Sequence, residues 1–478
     1  RNVLLGLERV DPEIREAGTM AGTTRLQRLL LVEIPSAGQQ IMVGVNQCVM
    51  AALSMVIIAA VIGGFDDIGW EVLLTMRKAQ FGQAVLAGLV IVLFAVMIDR
   101  ITARLAESDE RHGWRVPVGA AGVVSVAAVL LALLGLMPDA ASFGVLAPAA
   151  DAVDAALGNF TATYGAALDA VKNTAMFYAL LPLRIGLAEA VLPFTWGFGW
   201  TPAMSWGLFG AAALGAGLLA ARGAIVGAVV VLGLAALLHD GMTNLPWAMV
   251  VVAVTGVAWR AGGARLAAFA GGALLAILLA GLWDRAMLSL YLSGASVLAC
   301  AVVGGALGLL AALSPMAWRV LRPVCDTLQT IPLFVFLIPV LMVFQIGEFS
   351  AFLAICAYAI VPMIRYTRHG IVTTPPELME AATASGATAW QTLVEVRIPY
   401  ALPSILLGVN QTILYAFAML VIAALIGTTG LGQSIYVALG QADLGQGVAA
   451  GAAMALLALV ADRIVQGFAA ESRQALGL

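Results

Sequence analysis

"ELMEAATASGATAWQTLVEVRIP" (residues 377–399) is a polar stretch set between very apolar ones, and "EIREAGTMAGTTRLQRLLLVEIP" (residues 13–35) aligns with it without a gap. Glu13 falls on Glu377, Glu16 on Glu380, Gly22 on Gly386 and Pro35 on Pro399. In the second copy Thr374 stands three residues before Glu377, the spacing of a capping box, and Pro375 and Pro376 suit a first helical turn. In the first copy Asp11 precedes Pro12 in the same role. Gly386 and Gly22 are placed to end each short helix in a left-handed turn. Thr388 and Thr24 then open a second helix, expected to stop before Pro399 or Pro35 and lead straight into an apolar run. The reading is a helix–glycine–helix elbow, present twice.

The rest of the chain says what the elbows are attached to. Of 478 residues, 62% are hydrophobic and only 11% charged, and the mean hydropathy is +1.00. A soluble domain carries roughly a quarter charged residues, so this chain belongs in a membrane, with lipid as its solvent. A net charge of −3 gives no reason to expect nucleic acid. The four cysteines, Cys48, Cys300, Cys325 and Cys356, have no disulfide or ligand spacing and read as small core residues. The three histidines are equally isolated, so neither a metal nor another cofactor is implied. The chain opens inside the repeated segment without an initiating Met, which suggests that an upstream part is missing.

Apolar runs near the length that crosses a bilayer, roughly 20 residues, lie at 41–62, 84–103, 116–137, 204–221, 223–238, 246–260, 265–283, 287–312, 331–346, 349–364, 403–426 and 448–465. The expected fold is therefore all-α and polytopic, with about twelve spans. Arginines sort the sides: Arg1, Arg9, Arg15, Arg25 and Arg28 precede the first run, Arg100, Arg104, Arg111 and Arg115 follow the second, and Arg222, Arg260, Arg265, Arg319, Arg322, Arg365, Arg368 and Arg397 mark later cytoplasmic loops. That solution keeps 138–202 outside, with 175–199 at the interface, and puts both elbows in the cytoplasm.

Similarity between the copies continues past the elbows. "GVNQ" recurs at 44–47 and 408–411, and Asp99-Arg100-Ile101 returns as Asp462-Arg463-Ile464. Both copies enter from the same side, so the repeat is parallel and implies two equivalent halves about an axis normal to the membrane.

Glu380-Ala381-Ala382, three residues, Gly386, then Val396-x-Ile398-Pro399 resembles the EAA signature of bacterial ABC-importer permeases. The first copy, Glu16-Ala17-Gly18, three residues, Gly22, Val32-x-Ile34-Pro35, departs from it at Gly18. With "PVCDTLQTIPLFVFLIPVLMVFQIG" (323–347) and "VPMIRYTRHGI" (361–371), the pattern is similar to permeases of glycine betaine, proline betaine and choline importers. The resemblance implies type I importer units in a bacterial inner membrane: 1–110 the end of a first unit, 116–286 the membrane region of a second, and 287–478 its core. It also implies that Glu13, Glu16, Ala17, Gly22, Glu377, Glu380, Ala381, Ala382 and Gly386 couple to separate ATP-binding cassette ATPase subunits, and that an extracytoplasmic solute-binding protein delivers the solute.

No GxxxxGK[ST] motif occurs, so ATP hydrolysis is not expected on this chain and no catalytic residue is assigned. Gln329, Pro332, Pro339, Asn410 and Gln411 are candidates for the translocation path, because prolines free backbone carbonyls in a span. For the amides, interhelical hydrogen bonding is an adequate explanation and the preferred one over solute contact. Trp196, Trp200 and Trp206 suit an interfacial belt better than a cage for a cation. The competing class is a secondary transporter of two parallel repeats, which would keep ionisable groups at mid-membrane; these spans are almost free of them.

Overall fold

The computed structural model describes residues 2–63, 68–78, 80–107, 123, 125–127, 129–133, 147–331 and 333–477. Every regular element among them is helical. The expected span at 116–137 falls largely outside the described residues, as do Pro332 and the boundary between 110 and 116. The chain divides into two compact units, 1–158 with 330–335, and 159–329 with 336–478.

In the first unit the elbow leads into a 26-residue helix, Gly38–Gly63. A ten-residue helix, Ile68–Arg77, comes next, and Phe81–Glu107 packs back against Gly38–Gly63. The second unit repeats the sequence of elements. Its elbow leads into Ile398–Ala423, then an eleven-residue helix, Leu431–Gln441, then Leu444–Ala475, which returns against Ile398–Ala423. The duplication in sequence is thus a duplication of architecture within each unit.

Eight described helices are long and apolar enough to cross a membrane. One of them, Trp247–Leu279, folds back on itself. Gly263 has φ +73, and a Cβ on Gly271 would lie 3.0 Å from Thr255 Oγ1. Sixteen residues of straight helix would hold those two positions roughly 24 Å apart. The element is therefore a tight helical hairpin turned at Gly262-Gly263, which matches the separate runs at 246–260 and 265–283. Its turn is tied to the end of the last helix by Arg260, whose guanidinium donates to both oxygens of Glu471 at 2.6 and 2.7 Å.

The run at 331–346 behaves differently. It forms a 3₁₀ turn, Leu333–Phe336, and only eight residues of α-helix, Leu337–Phe344, before Gln345 turns the chain at φ 63. Eight residues rise about 12 Å, so this piece reaches partway through a bilayer. Ala147–Ala175 continues through a π-turn, Met176–Leu180, into Leu181–Ile185, and two four-residue helices, Leu187–Ala190 and Pro193–Trp196, come after it. The helix Ala147–Ala175, 29 residues with Asp151, Asp154, Asp169 and Lys172 among them, has no counterpart among the apolar runs because it is too polar to register as one.

Glycines set the closest approaches in the second unit. A Cβ on Gly304 would meet Ile360 at 2.9 Å, and one on Gly308 would meet the Ile364 carbonyl at 2.7 Å. This GxxxG stripe lets Trp283–Leu313 lie backbone to backbone on Glu348–Val372. Gly370 and Gly408 do the same between Glu348–Val372 and Ile398–Ala423, against Ser404 at 2.8 Å and Tyr366 at 2.9 Å. Cys300 and Cys325 are buried, as small core residues should be, whereas Cys48 is exposed. No group of metal-ligating side chains occurs among the described residues.

Candidate functional site

The two elbows share a glycine turn, a capping box and a π-turn. The first opens at Asp11, whose carboxylate accepts from the Glu13 N–H at 3.1 Å, and runs Pro12–Met20. The second runs Pro376–Ala384 and opens differently from expectation. Pro375 occupies the capping position at φ −55, ψ 136, and Thr374 instead donates its hydroxyl to the Ile371 carbonyl at 3.0 Å. The residue before a proline is driven into extended backbone, so Pro376 selects Pro375 as the boundary and leaves Thr374 to close the preceding helix.

Both helices end in a Schellman motif. Gly22 (φ +75) and Gly386 (φ +78) donate to Thr19 and Thr383 carbonyls, each at 3.0 Å. Thr23 N–H reaches the Gly18 carbonyl at 3.4 Å and Ala387 N–H reaches that of Ala382 at 3.0 Å. Reciprocal capping boxes come next. Thr24 with Gln27 and Thr388 with Gln391 exchange bonds of 2.9 and 3.3 Å in each copy.

The second helix of each elbow does not stop at its proline. It widens into a π-turn, Leu29–Glu33 or Thr392–Arg397, in which Ile34 donates to the Leu29 carbonyl and Ile398 to that of Leu393. A proline in regular helix clashes with the carbonyl four residues back. The five-residue spacing opens the ladder there, so the helix passes through Pro35 and Pro399 into the span.

Glu13, Glu16, Ala17 and Gly22 are exposed, as are Glu377, Glu380, Ala381 and Gly386. Ala382 is buried instead, and so is its counterpart Gly18. These two face inward, against the π-turn; a Cβ on Gly18 would touch Val32 at 3.4 Å. The copies are braced by different chemistry. In the first, Glu33 takes Arg28 at 3.0 Å and Arg15 at 3.8 Å, and Arg28 also donates to Thr19 Oγ1 at 3.2 Å. In the second, Met379, Thr392 and Arg397 stand at the positions of Arg15, Arg28 and Glu33, and Thr392 and Leu393 are buried.

Sequence reading overlooked an apolar component. Ile14 and Leu378 are 41% and 42% exposed, and Leu26 and Trp390 are 65% and 70% exposed. The same two positions carry uncovered hydrophobic side chains in both copies, which the gapless alignment contains. Matched apolar exposure beside carboxylates is what a docking face displays.

The candidate path residues are not gathered into one place. Gln329 and Pro339 are exposed and Gln411 is half-buried. Asn410 is buried, and its Nδ2 donates to Asp462 Oδ1 at 2.8 Å, where Gln466 Nε2 also donates at 2.8 Å. That is the interhelical bond foreseen for the amide, and it joins the GVNQ and Asp-Arg-Ile motifs of the second copy. The three tryptophans do not form a cage. Trp196 meets Tyr178 with ring centroids 4.7 Å apart, Trp200 donates to Ser205 at 2.8 Å, and Trp206 is 79% exposed.

Comparison with known proteins adds the family. The binding-protein-dependent transport system inner membrane component family matches residues 304–474. The glycine betaine transport system permease protein of Bacillus subtilis is 37% identical over 237 residues, which cover 49% of this chain and 84% of that protein. This chain belongs to that family. It is a multi-pass inner-membrane protein of the binding-protein-dependent transport class. The trimethylamine N-oxide transport system permease protein of Ruegeria pomeroyi is 32% identical over 490 residues, covering 99% of this chain and 65% of the relative. The glycine betaine/proline betaine transport system permease protein of Escherichia coli is 36% identical over 232 residues, covering 48% of the chain and 66% of the relative. The chain thus spans somewhat under two thirds of the length of these two relatives, and matches the first along its whole extent but the second along half.

Proposed function

We propose that this chain is the membrane permease of an ATP-driven, binding-protein-dependent importer of small methylated-ammonium solutes such as glycine betaine, proline betaine or choline. The observation that carries the reading is the doubled elbow, with identical Schellman ends, capping boxes and π-turns on two equivalent helix pairs. A motor with two clefts needs two such levers, and one chain here brings both. Each elbow offers its exposed carboxylates and flanking apolar residues to one ATP-binding cassette subunit: Glu13, Glu16 and Ala17 to one, Glu377, Glu380 and Ala381 to the other. The relatives named for glycine betaine and trimethylamine N-oxide transport support the solute class. Hydrolysis takes place on the partner subunits, and a solute-binding protein delivers the cargo outside. Residues 1–110 act as the end of one permease unit, with 116–286 and 287–478 forming the second.

Single cysteines at Ala17 and Ala381, in a chain lacking its own four, test the arrangement. Each is expected to crosslink to an ATPase subunit in the assembled complex. Crosslinking from one position alone, with a second copy of the chain filling the other cleft, removes the two-lever reading. Uptake of glycine betaine that persists with a hydrolysis-deficient ATPase would instead favour a secondary transporter.

A further inference from the structure

In the second unit, the helices divide into two kinds by what they leave uncovered. Trp283–Leu313 exposes Leu298, Val302, Val303 and Leu310, and Leu444–Ala475 exposes Val448 and Leu459. Such faces suit contact with lipid. Glu348–Val372 exposes no large apolar side chain before Tyr366, and Ile398–Ala423 exposes Leu402 near its start but none after it. Both helices are far more buried than the others, at 56% against 28% and 33%. Among the side chains they leave half-open is a pair of tyrosines. Tyr358 and Tyr415 stack across the two helices with centroids 4.8 Å apart and planes 17° apart. Phe336 backs Tyr358 edge-on at 5.9 Å and 63°.

A phenol left without a partner in hydrocarbon is costly, and no hydrogen bond engages either hydroxyl among the described residues. The half-open face therefore meets water or solute. Gln411, also half-buried, lies one helical turn from Tyr415, and residues four apart on a helix sit about 6 Å from each other. Arg365, two turns along from Tyr358, is paired with Asp326.

We propose that Tyr415 is a solute-contact residue within the membrane, its outward ring face receiving the methylated ammonium group while the Gln411 amide N–H donates to the anionic end of the same zwitterion. Tyr358 and Phe336 hold the Tyr415 ring in place and add electron density behind it. The chemistry is cation–π, in a site that water leaves when solute enters, where such contacts are strongest. The assignment rests on the solute class proposed above.

Uptake of radiolabelled glycine betaine by the full transport complex in proteoliposomes, with the binding protein saturated, isolates the membrane step. Tyr415→Phe is expected to stay within about twofold of the unmodified complex, and Tyr415→Leu to fall about tenfold. Phenylalanines bearing one, two and three ring fluorines at position 415 should lower uptake stepwise, since fluorine drains the ring face with little change in size. A flat fluorine series overturns the site even if Tyr415→Leu is impaired, because packing alone then explains the ring. Normal uptake by Tyr415→Leu overturns it directly. Failure of the unmodified complex to take up glycine betaine overturns the solute class and the site together, and that outcome is read without any variant.

Discussion

Gly386 offers the sharpest test of the elbow, because its surroundings separate conformational cost from steric cost. Nothing lies within 4 Å of where a Cβ would stand, and φ is +78. Gly386→Ala therefore meets no clash and costs only the left-handed backbone, about 1–2 kcal/mol. Alanine also restricts the unfolded segment, which returns roughly 0.4–1 kcal/mol. The net cost is about 1 kcal/mol, enough to raise the frayed population of the Schellman end about fivefold. Gly386→Pro is more severe. Proline holds φ near −65° and lacks the N–H that now donates to Thr383 at 3.0 Å, so the turn cannot close and the loss reaches about 3 kcal/mol. Hydrogen exchange at 381–391 in the assembled complex reads the fraying, and ATP-driven uptake reads its consequence. The expected order is wild type, then Ala, then Pro, in both protection and uptake, at equal abundance in the membrane. Undisturbed protection in Gly386→Pro would show that the turn does not hold the elbow, and undisturbed uptake would show that the elbow does not carry the coupling.

Gly18→Ala should stabilise the first elbow by up to about 1 kcal/mol, since the methyl gains helix propensity and meets Val32 at ordinary contact distance; slower exchange over 13–22 checks it. Asn410→Leu should destabilise the second unit by about 1–3 kcal/mol, because buried Asp462 loses a donor; a matched loss in thermal midpoint is the measure, and it should shrink when combined with Asp462→Leu. Gly308→Val should cost about 1–3 kcal/mol through overpacking against Ile364 and Thr367, whereas Gly294→Val, with open space around it, should be nearly neutral in the same unfolding assay.

The parts of the fold that are legible in sequence are those that local chemistry dictates. The elbows' ends are readable because Gly22, Gly386, Thr24 and Thr388 each do their work with residues within five positions. The hairpin at 247–279 is readable because two apolar runs flank a glycine pair with arginines on either side. Thr374 misleads because the same Thr-x-x-Glu spacing competes with the preference of the residue before Pro376, and the latter is a steric rule rather than a single bond. The prolines at 35 and 399 mislead for the converse reason: a π-turn satisfies them without ending the helix, and nothing in composition announces one. The tyrosine stack joins residues far apart in the chain, so only the packing of Glu348–Val372 on Ile398–Ala423 brings it into view.

The π-turn sets the azimuth of each elbow about its span. Every residue added to or removed from a helix rotates the remainder of that helix by about 100°, and the widened turn at Leu29–Glu33 or Thr392–Arg397 acts as one such added residue. Deleting a single residue from the second of these turns would swing Glu377, Glu380 and Ala381 more than a quarter of a circle about the span, and would restore the clash of Pro399 with the carbonyl four residues back that the wide turn relieves. The two copies carry the same widening, so a deletion in one alone would set that elbow at a different angle about its own span from the angle its counterpart keeps about the other.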